Sequence, residues 1–313
     1  RTERGLTMGG SGGGRYTGPS SATLQQRLDK IREQERARLE KNIGEYLRKL
    51  LVRFNDRDRE KIATRIEAIH KLLGQNVEID QLLFGGSVAK HTAVDGLSDV
   101  DALVVLDRED LRGKSAQAML DAFHKTLEDQ LSRTDVLSVE KGRLAVTVAY
   151  RDKTEIQLLP ALRSGQIVTI AAADGKSWND TRPRVFQRQL TQANQRLGQS
   201  LIPAIKLVKA LVGSLPEQKQ LSGYHIEAMA VDAVKGYRGN KSPKALLLHI
   251  LRHASERVRT PMKDVTGQSR TVDAYLGKAE SVPRRVASQA LSGLARRIDA
   301  ASSLGQWQAI FGE

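Results

Sequence analysis

The sequence contains no cysteine. This absence excludes disulfide bonds, thiolate metal sites and a cysteine nucleophile, and it fits a reducing compartment. Aromatic residues make up only 4% of the chain, and no apolar run approaches the roughly 18 residues that a membrane-spanning helix needs. The N-terminus also lacks the apolar core of a signal peptide. We therefore expect a cytoplasmic protein that does not bind a membrane.

Acidic residues are outnumbered by basic ones, 36 to 50, which gives a formal net charge of +14. A positive excess of this size attracts partners that carry phosphate, either nucleoside triphosphates or nucleic acid. The 313 residues are 40% hydrophobic, enough to bury the core of one large domain or of two domains in close contact. We find no internal repeat in the sequence.

A tight Gly-Gly-Ser turn is followed, a short distance along the sequence, by a predicted strand that begins with two aspartates. Gly86 and Ser87 end the turn, and eleven residues, 88–98, separate it from Asp99 and Asp101 at the start of an apolar run. Side chains alternate along a strand, so both carboxylates point to one face, about 7 Å apart. Glycine lets backbone N–H groups approach phosphate oxygens, and Ser87 adds a hydroxyl donor. The pattern predicts a phosphate cradle beside a site for divalent metal ions.

Hydrophobic periodicity indicates how the rest of the chain folds. Residues 1–20, rich in glycine and serine, show no periodicity and predict a flexible tail. Helical spacing follows from residue 21, and again over about 56–73, where Gly74 is a suitable C-cap. Further on, the pattern predicts a helix over 116–132, a strand over 136–140, a hairpin of 143–150 with 154–159, and an irregular insertion over 162–182. Beyond residue 183 it predicts helices that break near 198, 215–216, 236–243 and 261–277.

Four motifs stand in one order: the turn with its Asp-x-Asp, then residues 155–161, 204–209 and 221–227. In this order they resemble the DNA-polymerase-β-type nucleotidyltransferases, and within them the cGAS/DncV-like enzymes (CD-NTases). The resemblance implies an α+β fold in which a mixed sheet with an N-terminal helical spine packs against a C-terminal helical lobe. The active site then lies in the cleft between them. We expect domain limits of 21–195 for the nucleotidyltransferase core and 196–313 for the helical lobe.

The resemblance also implies roles for particular residues. The turn residues and the lysine that follows them are expected to touch the triphosphate, as are two lysines of the third motif and a serine of the fourth. A tyrosine of the fourth motif is expected to offer its ring to the base. These nucleotide-binding residues are Gly86, Ser87, Lys90, Lys206, Lys209, Ser222 and Tyr224. The two aspartates are expected to bind Mg²⁺ or Mn²⁺.

The third carboxylate departs from the family pattern. Relatives have an acidic residue just before an apolar-apolar-Pro-Ala ending, and this chain has Gln157 there. An amide binds a hard cation more weakly than a carboxylate does and cannot act as a general base. Glu155 lies two residues earlier and shares the strand face of Gln157. Three readings stay open: Glu155 completes the site with Gln157 in the outer shell, Asp99 and Asp101 suffice, or the site is inactive.

By this resemblance the chain joins ATP and other ribonucleoside triphosphates into a cyclic or short linear oligonucleotide. That product would activate a separate effector protein in bacterial antiphage signalling of the CBASS type. Three alternatives stay open: a transferase of the same superfamily that modifies RNA or protein, an inactive nucleotide-binding protein, and a synthase switched on by nucleic acid. The missing cysteines exclude a cysteine-ligated zinc ribbon as the nucleic-acid sensor.

Overall fold

The computed structural model describes residues 21–54, 59–74, 77–80, 100–106, 115–131, 134–164, 167–171, 178–267 and 269–313. Its helices are α1 Ser21–Arg53, α2 Arg59–Leu73, α3 Ala116–Gln130, α4 Pro183–Arg196, α5 Leu201–Gly213, α6 Gly223–Ala233, α7 Pro243–Arg257, α8 Val282–Ala300 and α9 Leu304–Ile310. Its strands are β1 Val77–Asp80, β2 Val100–Leu106, β3 Val136–Lys141, β4 Val146–Tyr150, β5 Glu155–Ser164, β6 Ile167–Ala171 and β7 Trp178–Thr181.

In these described residues the strands form one mixed sheet. Its continuous order is β1-β2-β5-β4-β3, with β6 paired to β5 and β7 paired to β6. β2 and β5 run parallel, whereas the other neighbouring strands run antiparallel. A parallel pair needs a long crossover, and α3, β3 and β4 supply it. The predicted α+β class, a mixed sheet followed by a helical segment, is confirmed.

The hairpin expected around residues 151–153 is confirmed. β4 and β5 pair antiparallel, from Val146 opposite Leu158 to Ala149 opposite Glu155. Lys153 turns the chain with a φ of 67°, in the left-handed region. The hairpin brings the start of β5 alongside β4, and the opposite edge of β5 pairs with β2.

The prediction of an irregular insertion over residues 162–182 is wrong, because β5 continues to Ser164 and two further strands follow it. Pro160 sits where β5 changes its partner on one edge. The pairing with β4 reaches Leu158, and the pairing with β6 begins at Ala161. Proline has no N–H to donate, so a position between two partners accommodates it.

Buried apolar side chains gather in two large groups. In one, α2 and α3 cover the sheet, with Ile66 and Phe123 packed among residues such as Ile156. In the other, α4 to α9 pack together with the second half of α1, which contributes Ile43 and Leu47. The two helices of the expected spine therefore belong to different cores. The helix α2 packs on the sheet, and the second half of α1 packs on α4 to α9. The domain limits of 21–195 and 196–313 stay a prediction.

Arg65 of α2 connects this helix to the β4–β5 hairpin. Its guanidinium carbon lies 3.7 Å from the ring centroid of Tyr150. The same group donates hydrogen bonds to Asp135, at 2.8 Å, and to Asp152, at 3.2 Å. Partial burial alone would raise the pKa of Asp152, but the bonds from Lys61 and Arg65 outweigh it and lower that pKa well below its usual range. The cluster therefore holds the hairpin, and the start of β5, against α2.

The predicted breaks between the C-terminal helices are confirmed. Gly198 and Gly236, with φ of 62° and 70°, follow the ends of α4 and α6 in the left-handed conformation that glycine adopts without strain. Gly74, with φ of 102°, ends α2 in the same way. None of the described helices is both long and apolar enough to cross a membrane.

Candidate active site

The centre of the candidate site is the parallel pair formed by β2 and β5. Their register places Asp101 opposite Gln157 and Val100 opposite Ile156. The second strand of the predicted hairpin thus lies beside the start of β2. Asp99 and the whole Gly86, Ser87 and Lys90 turn lie outside the described residues, and of Asp101 only the backbone is described.

The two faces of β5 differ at this end. Ile156 and Leu158 are fully buried in the core beneath the sheet. Glu155 is exposed and Gln157 half-buried, so both polar side chains lie on the opposite face. Among the described side chains, which do not include those of Asp99 and Asp101, no group of three histidines or carboxylates is arranged to hold a metal ion. Gln157, which lies opposite Asp101, thus carries an amide. The carboxylate of Glu155 lies two residues earlier, on the same face of β5 as Gln157.

A buried ion pair joins the third and fourth motifs. Lys209 of α5 donates to the Glu227 carboxylate of α6 at 2.7 Å, and the side chains are only 6% and 1% exposed. A Cβ on Gly223, the first residue of α6, would lie 3.2 Å from the Lys209 Nζ atom. Glycine at this position therefore lets the ammonium group approach the N-terminal end of α6. Lys206, one turn earlier on α5, is also buried.

Ser222 caps the N-terminus of α6. Its hydroxyl oxygen accepts the backbone N–H of His225 at 3.3 Å, while its own backbone N–H donates to the Tyr275 hydroxyl at 3.1 Å. The Ser222 side chain is exposed. A capped N-terminus carries partial positive charge and directs N–H groups outward, which favours an anion.

Tyr224 is held by its hydroxyl group. It donates to the Asp264 carboxylate at 2.8 Å, and its ring meets Phe186 of α4 edge-to-face, with centroids 5.0 Å apart. Burial and the neighbouring Asp264 carboxylate raise the pKa of Tyr224. Asp264 also accepts hydrogen bonds from Thr266 and Ser269 in its own loop. The ring that was expected to meet the base is thus fixed between α4 and this loop.

Sequence reasoning gave no role to Glu227, Asp264 or Tyr275. Glu227 contacts Lys209 of the third motif, and Asp264 and Tyr275 contact residues of the fourth. For Glu227 there was a signal. It is a charged residue in an otherwise apolar stretch of α6, as Lys209 is in α5. Opposite charges in two neighbouring apolar helices indicate a buried pair, because an unpaired charge is costly to bury. Asp264 and Tyr275 lie in irregular segments, where no periodicity could indicate them.

A family model decides the identity of this fold. Residues 39–194 match SMODS, the Second Messenger Oligonucleotide or Dinucleotide Synthetase domain. The chain belongs to this family. The match runs from the second half of α1 through the sheet to α4, so it includes the strands that carry Asp101 and Glu155. The SMODS protein is a nucleotidyltransferase that makes oligonucleotide messengers, as predicted.

Solved structures share the fold of this SMODS protein. The CD-NTase CdnG of Bradyrhizobium diazoefficiens, solved with GTP, superposes with a TM-score of 0.61 at 15% identity, covering 81% of this chain and 90% of that one. DncV of Escherichia coli, solved with 3′-deoxy-GTP, gives 0.58 at 15% identity, covering 94% and 92%. The CdnE cyclic dinucleotide synthase of Elizabethkingia meningoseptica gives 0.54 at 14% identity, covering 83% and 94%. Among curated proteins no sequence matches the chain. The predicted resemblance to the CD-NTases is confirmed.

Proposed function

We propose that this SMODS protein joins ribonucleoside triphosphates into a cyclic or short linear oligonucleotide and releases pyrophosphate. One observation carries the proposal. The parallel register of β2 and β5 places the backbone of Asp101 opposite Gln157, two residues after Glu155 on the neighbouring strand. Carboxylates on neighbouring strands at one end of a sheet form a compact set of oxygen ligands beside a surface that is open to substrate.

The residue types at this position fit a divalent cation. Carboxylate oxygens are the ligands that Mg²⁺ and Mn²⁺ prefer, and neighbouring strands such as β2 and β5 lie about 4.8 Å apart. We propose that Asp99, Asp101 and Glu155 hold the metal and that Gln157 lies in its outer shell. A cation bound there supplies charge neutralisation for the triphosphate and a lower pKa for the attacking hydroxyl.

The triphosphate is proposed to extend from the Gly86-Ser87 turn and Lys90 towards the α5–α6 pair. Ser222 and the N-terminus of α6 offer donors to a phosphate oxygen, and Lys209 lies against the same helix end. The buried carboxylate of Glu227 restricts the Lys209 ammonium to one position. A lysine ordered in advance loses less conformational entropy when a phosphate binds. Lys206 is proposed to add a second positive charge on α5.

In the proposed reaction a ribose hydroxyl of one nucleotide attacks the α-phosphate of another. The new phosphodiester bond forms as the bond to pyrophosphate breaks, and the hydroxyl proton leaves to solvent. The protein supplies position and electrostatic stabilisation, because phosphoryl transfer needs little covalent help. Tyr224, whose hydroxyl is held by Asp264, is proposed to offer its ring to a base, a contact worth about 1 to 3 kcal/mol.

We further propose that the enzyme acts in the cytoplasm and that its product activates a separate effector protein in antiphage defence. The net charge of +14 suits triphosphate substrates and also suits nucleic acid. Assays with and without added DNA or RNA separate an enzyme that is active alone from one that nucleic acid switches on.

The direct test is to incubate the purified protein with all four ribonucleoside triphosphates and Mg²⁺ or Mn²⁺. We expect pyrophosphate release and, by mass spectrometry, an oligonucleotide product that resists phosphatase where it is cyclic. Transfer of labelled nucleotide only to added RNA or protein would contradict the proposal. So would the absence of pyrophosphate release under every condition while nucleotides still bind.

A second candidate function is that of an inactive nucleotide-binding protein. It is favoured by the register itself, because the residue directly opposite Asp101 is the amide Gln157. An amide oxygen is a weaker ligand for a hard cation than a carboxylate. The synthase function requires Glu155 as a metal ligand, whereas the inactive nucleotide-binding function does not.

If Glu155 completes the metal site, Glu155→Gln should lower the rate of pyrophosphate release about a hundredfold, the equivalent of roughly 2.7 kcal/mol in the barrier. Steady-state pyrophosphate release measures the effect. Glu140→Gln is the matched control, since Glu140 is an exposed carboxylate on β3 of the same sheet, and it should keep the wild-type rate. Equal rates in the two variants would show that Glu155 is not a metal ligand.

A further inference from the structure

A chain of polar contacts runs from the N-terminus of α6 to α8. The Ser222 backbone N–H donates to the Tyr275 hydroxyl at 3.1 Å, and that hydroxyl lies 3.0 Å from Nδ1 of His225. Nε2 of His225 lies 3.6 Å from an Asp273 carboxylate oxygen, which accepts from Arg284 at 2.7 Å. These contacts link five residues of the helical lobe.

The direction of each hydrogen bond follows from the donors present. Burial raises the pKa of Tyr275, so its hydroxyl keeps its proton. The Tyr275 oxygen accepts from Ser222, so its own proton is directed to Nδ1 of His225. Burial, aided by Arg284 and opposed by Asp273, lowers the pKa of His225 to about 4, so the ring is neutral. We therefore assign the remaining proton to Nε2, which faces Asp273.

The far end of the chain is rigid. His225, Asp273 and Arg284 have no solvent exposure. Arg284 also donates to the carbonyl oxygens of Val258 and Gly277, at 2.9 Å each. With its guanidinium and carboxylate both satisfied, this end cannot shift without breaking several buried bonds. The His225 ring packs against this fixed end, with Nε2 at 3.6 Å from Asp273 and beyond hydrogen-bond distance, and presents Nδ1 to the Tyr275 hydroxyl.

Tyr275 differs from the buried residues His225, Asp273 and Arg284 because it is 52% exposed while its hydroxyl contacts both Ser222 and His225. A tyrosine that only filled the core would be buried throughout. Its hydroxyl is the one described contact between the Ser222 backbone N–H and the buried chain. The Tyr275 oxygen thus holds the Ser222 backbone N–H, while the hydroxyl and carbonyl oxygens of Ser222 accept from the N–H groups of His225 and Ile226.

We propose that Tyr275 is a positioning residue for nucleotidyl transfer, acting through Ser222 on the triphosphate. The inference rests on the proposed function, which places a phosphate at the N-terminus of α6. Ser222 and the neighbouring Lys209 must both face that phosphate, and Lys209 already lies against Gly223 beside the cap. A small displacement of one partner weakens binding because a phosphate contact depends strongly on distance.

The test is Tyr275→Phe, which removes the hydroxyl and keeps the ring. We expect KM for the triphosphates to rise about fivefold to tenfold while kcat changes less than about twofold, since a contact made equally in ground and transition states affects binding alone. Tyr237→Phe is the matched control. Its hydroxyl donates to the Asn240 carbonyl in the loop after α6, at the opposite end of that helix from Ser222. The dissociation constants of ATP and GTP with Mg²⁺, measured by calorimetry, give a second readout without turnover.

The outcomes separate the two proposals. Weaker binding and a raised KM in Tyr275→Phe, with Tyr237→Phe unchanged and both melting temperatures close to wild type, support the positioning role. Unchanged binding and KM in Tyr275→Phe, alongside an active wild type, overturn this inference and leave the proposed function intact. Failure of the wild-type protein to bind ATP or GTP overturns both.

Discussion

Replacing Asp99 and Asp101 together by asparagine should lower the rate of pyrophosphate release by about a thousandfold or more. The pair is proposed to supply most of the negative charge that holds the metal, and asparagine keeps the size of the side chain while removing that charge. Metal-assisted charge stabilisation is worth several kcal/mol, and about 4 kcal/mol corresponds to three powers of ten in rate. Steady-state pyrophosphate release at saturating nucleotide measures the effect.

The control for the double variant is a substitution that removes a carboxylate outside the proposed metal site. Asp129→Asn meets this condition, because Asp129 is an exposed residue near the end of α3. We expect it to retain wild-type activity. Circular dichroism and melting temperature should show that the double variant remains folded, since β2 is held by its apolar residues Ala102, Leu103 and Val104. Undiminished turnover in a folded double variant would remove Asp99 and Asp101 from the proposed mechanism.

The elements of this fold that are determined by residues close together in the sequence could be predicted. The hairpin of β4 and β5 follows from two β-rich runs around a three-residue turn, and β2 follows from its apolar run. The strands β6 and β7 could not be predicted in this way. The pairing of β6 begins only where β5 passes Pro160 and changes partner, whereas the predicted strand ended at residue 159, directly before this proline.

Side-chain partners were harder to predict than elements. The sequence indicates that Lys209 lies in an apolar helix, but its pairing with Glu227 depends on how α5 and α6 pack. Tyr224 was expected to be the aromatic residue of the nucleotide site, whereas its hydroxyl is bound to Asp264 and its role toward a base stays a prediction. Tyr275 comes to the α6 cap from a segment 53 residues beyond Ser222. Contacts over such separations depend on tertiary packing rather than on any local pattern.

Arg284→Met should lower the free energy of unfolding of the helical lobe by about 3 to 5 kcal/mol, the usual cost of removing one partner of a buried ion pair. Arg284 and Asp273 are both fully buried, and the guanidinium also binds three backbone carbonyl groups, those of Val258, Asp273 and Gly277. Methionine has a similar length but no donor, so the Asp273 carboxylate would lose its counter-charge inside the protein. Chemical denaturation of wild type and variant, followed by circular dichroism, measures the difference.

Arg285→Met provides the matched control, because Arg285 is the next residue of α8 and is exposed. Its effect should stay within about 0.5 kcal/mol, as is usual for surface substitutions. The double variant Arg284→Met with Asp273→Asn should recover part of the loss, since it removes the buried charge that the first change leaves unpaired. Equal stability of the Arg284 and Arg285 variants would contradict a structural role for the pair. In that case the chain from α8 through His225 to Tyr275 would have no rigid end, and Tyr275 could not hold Ser222 in the way proposed.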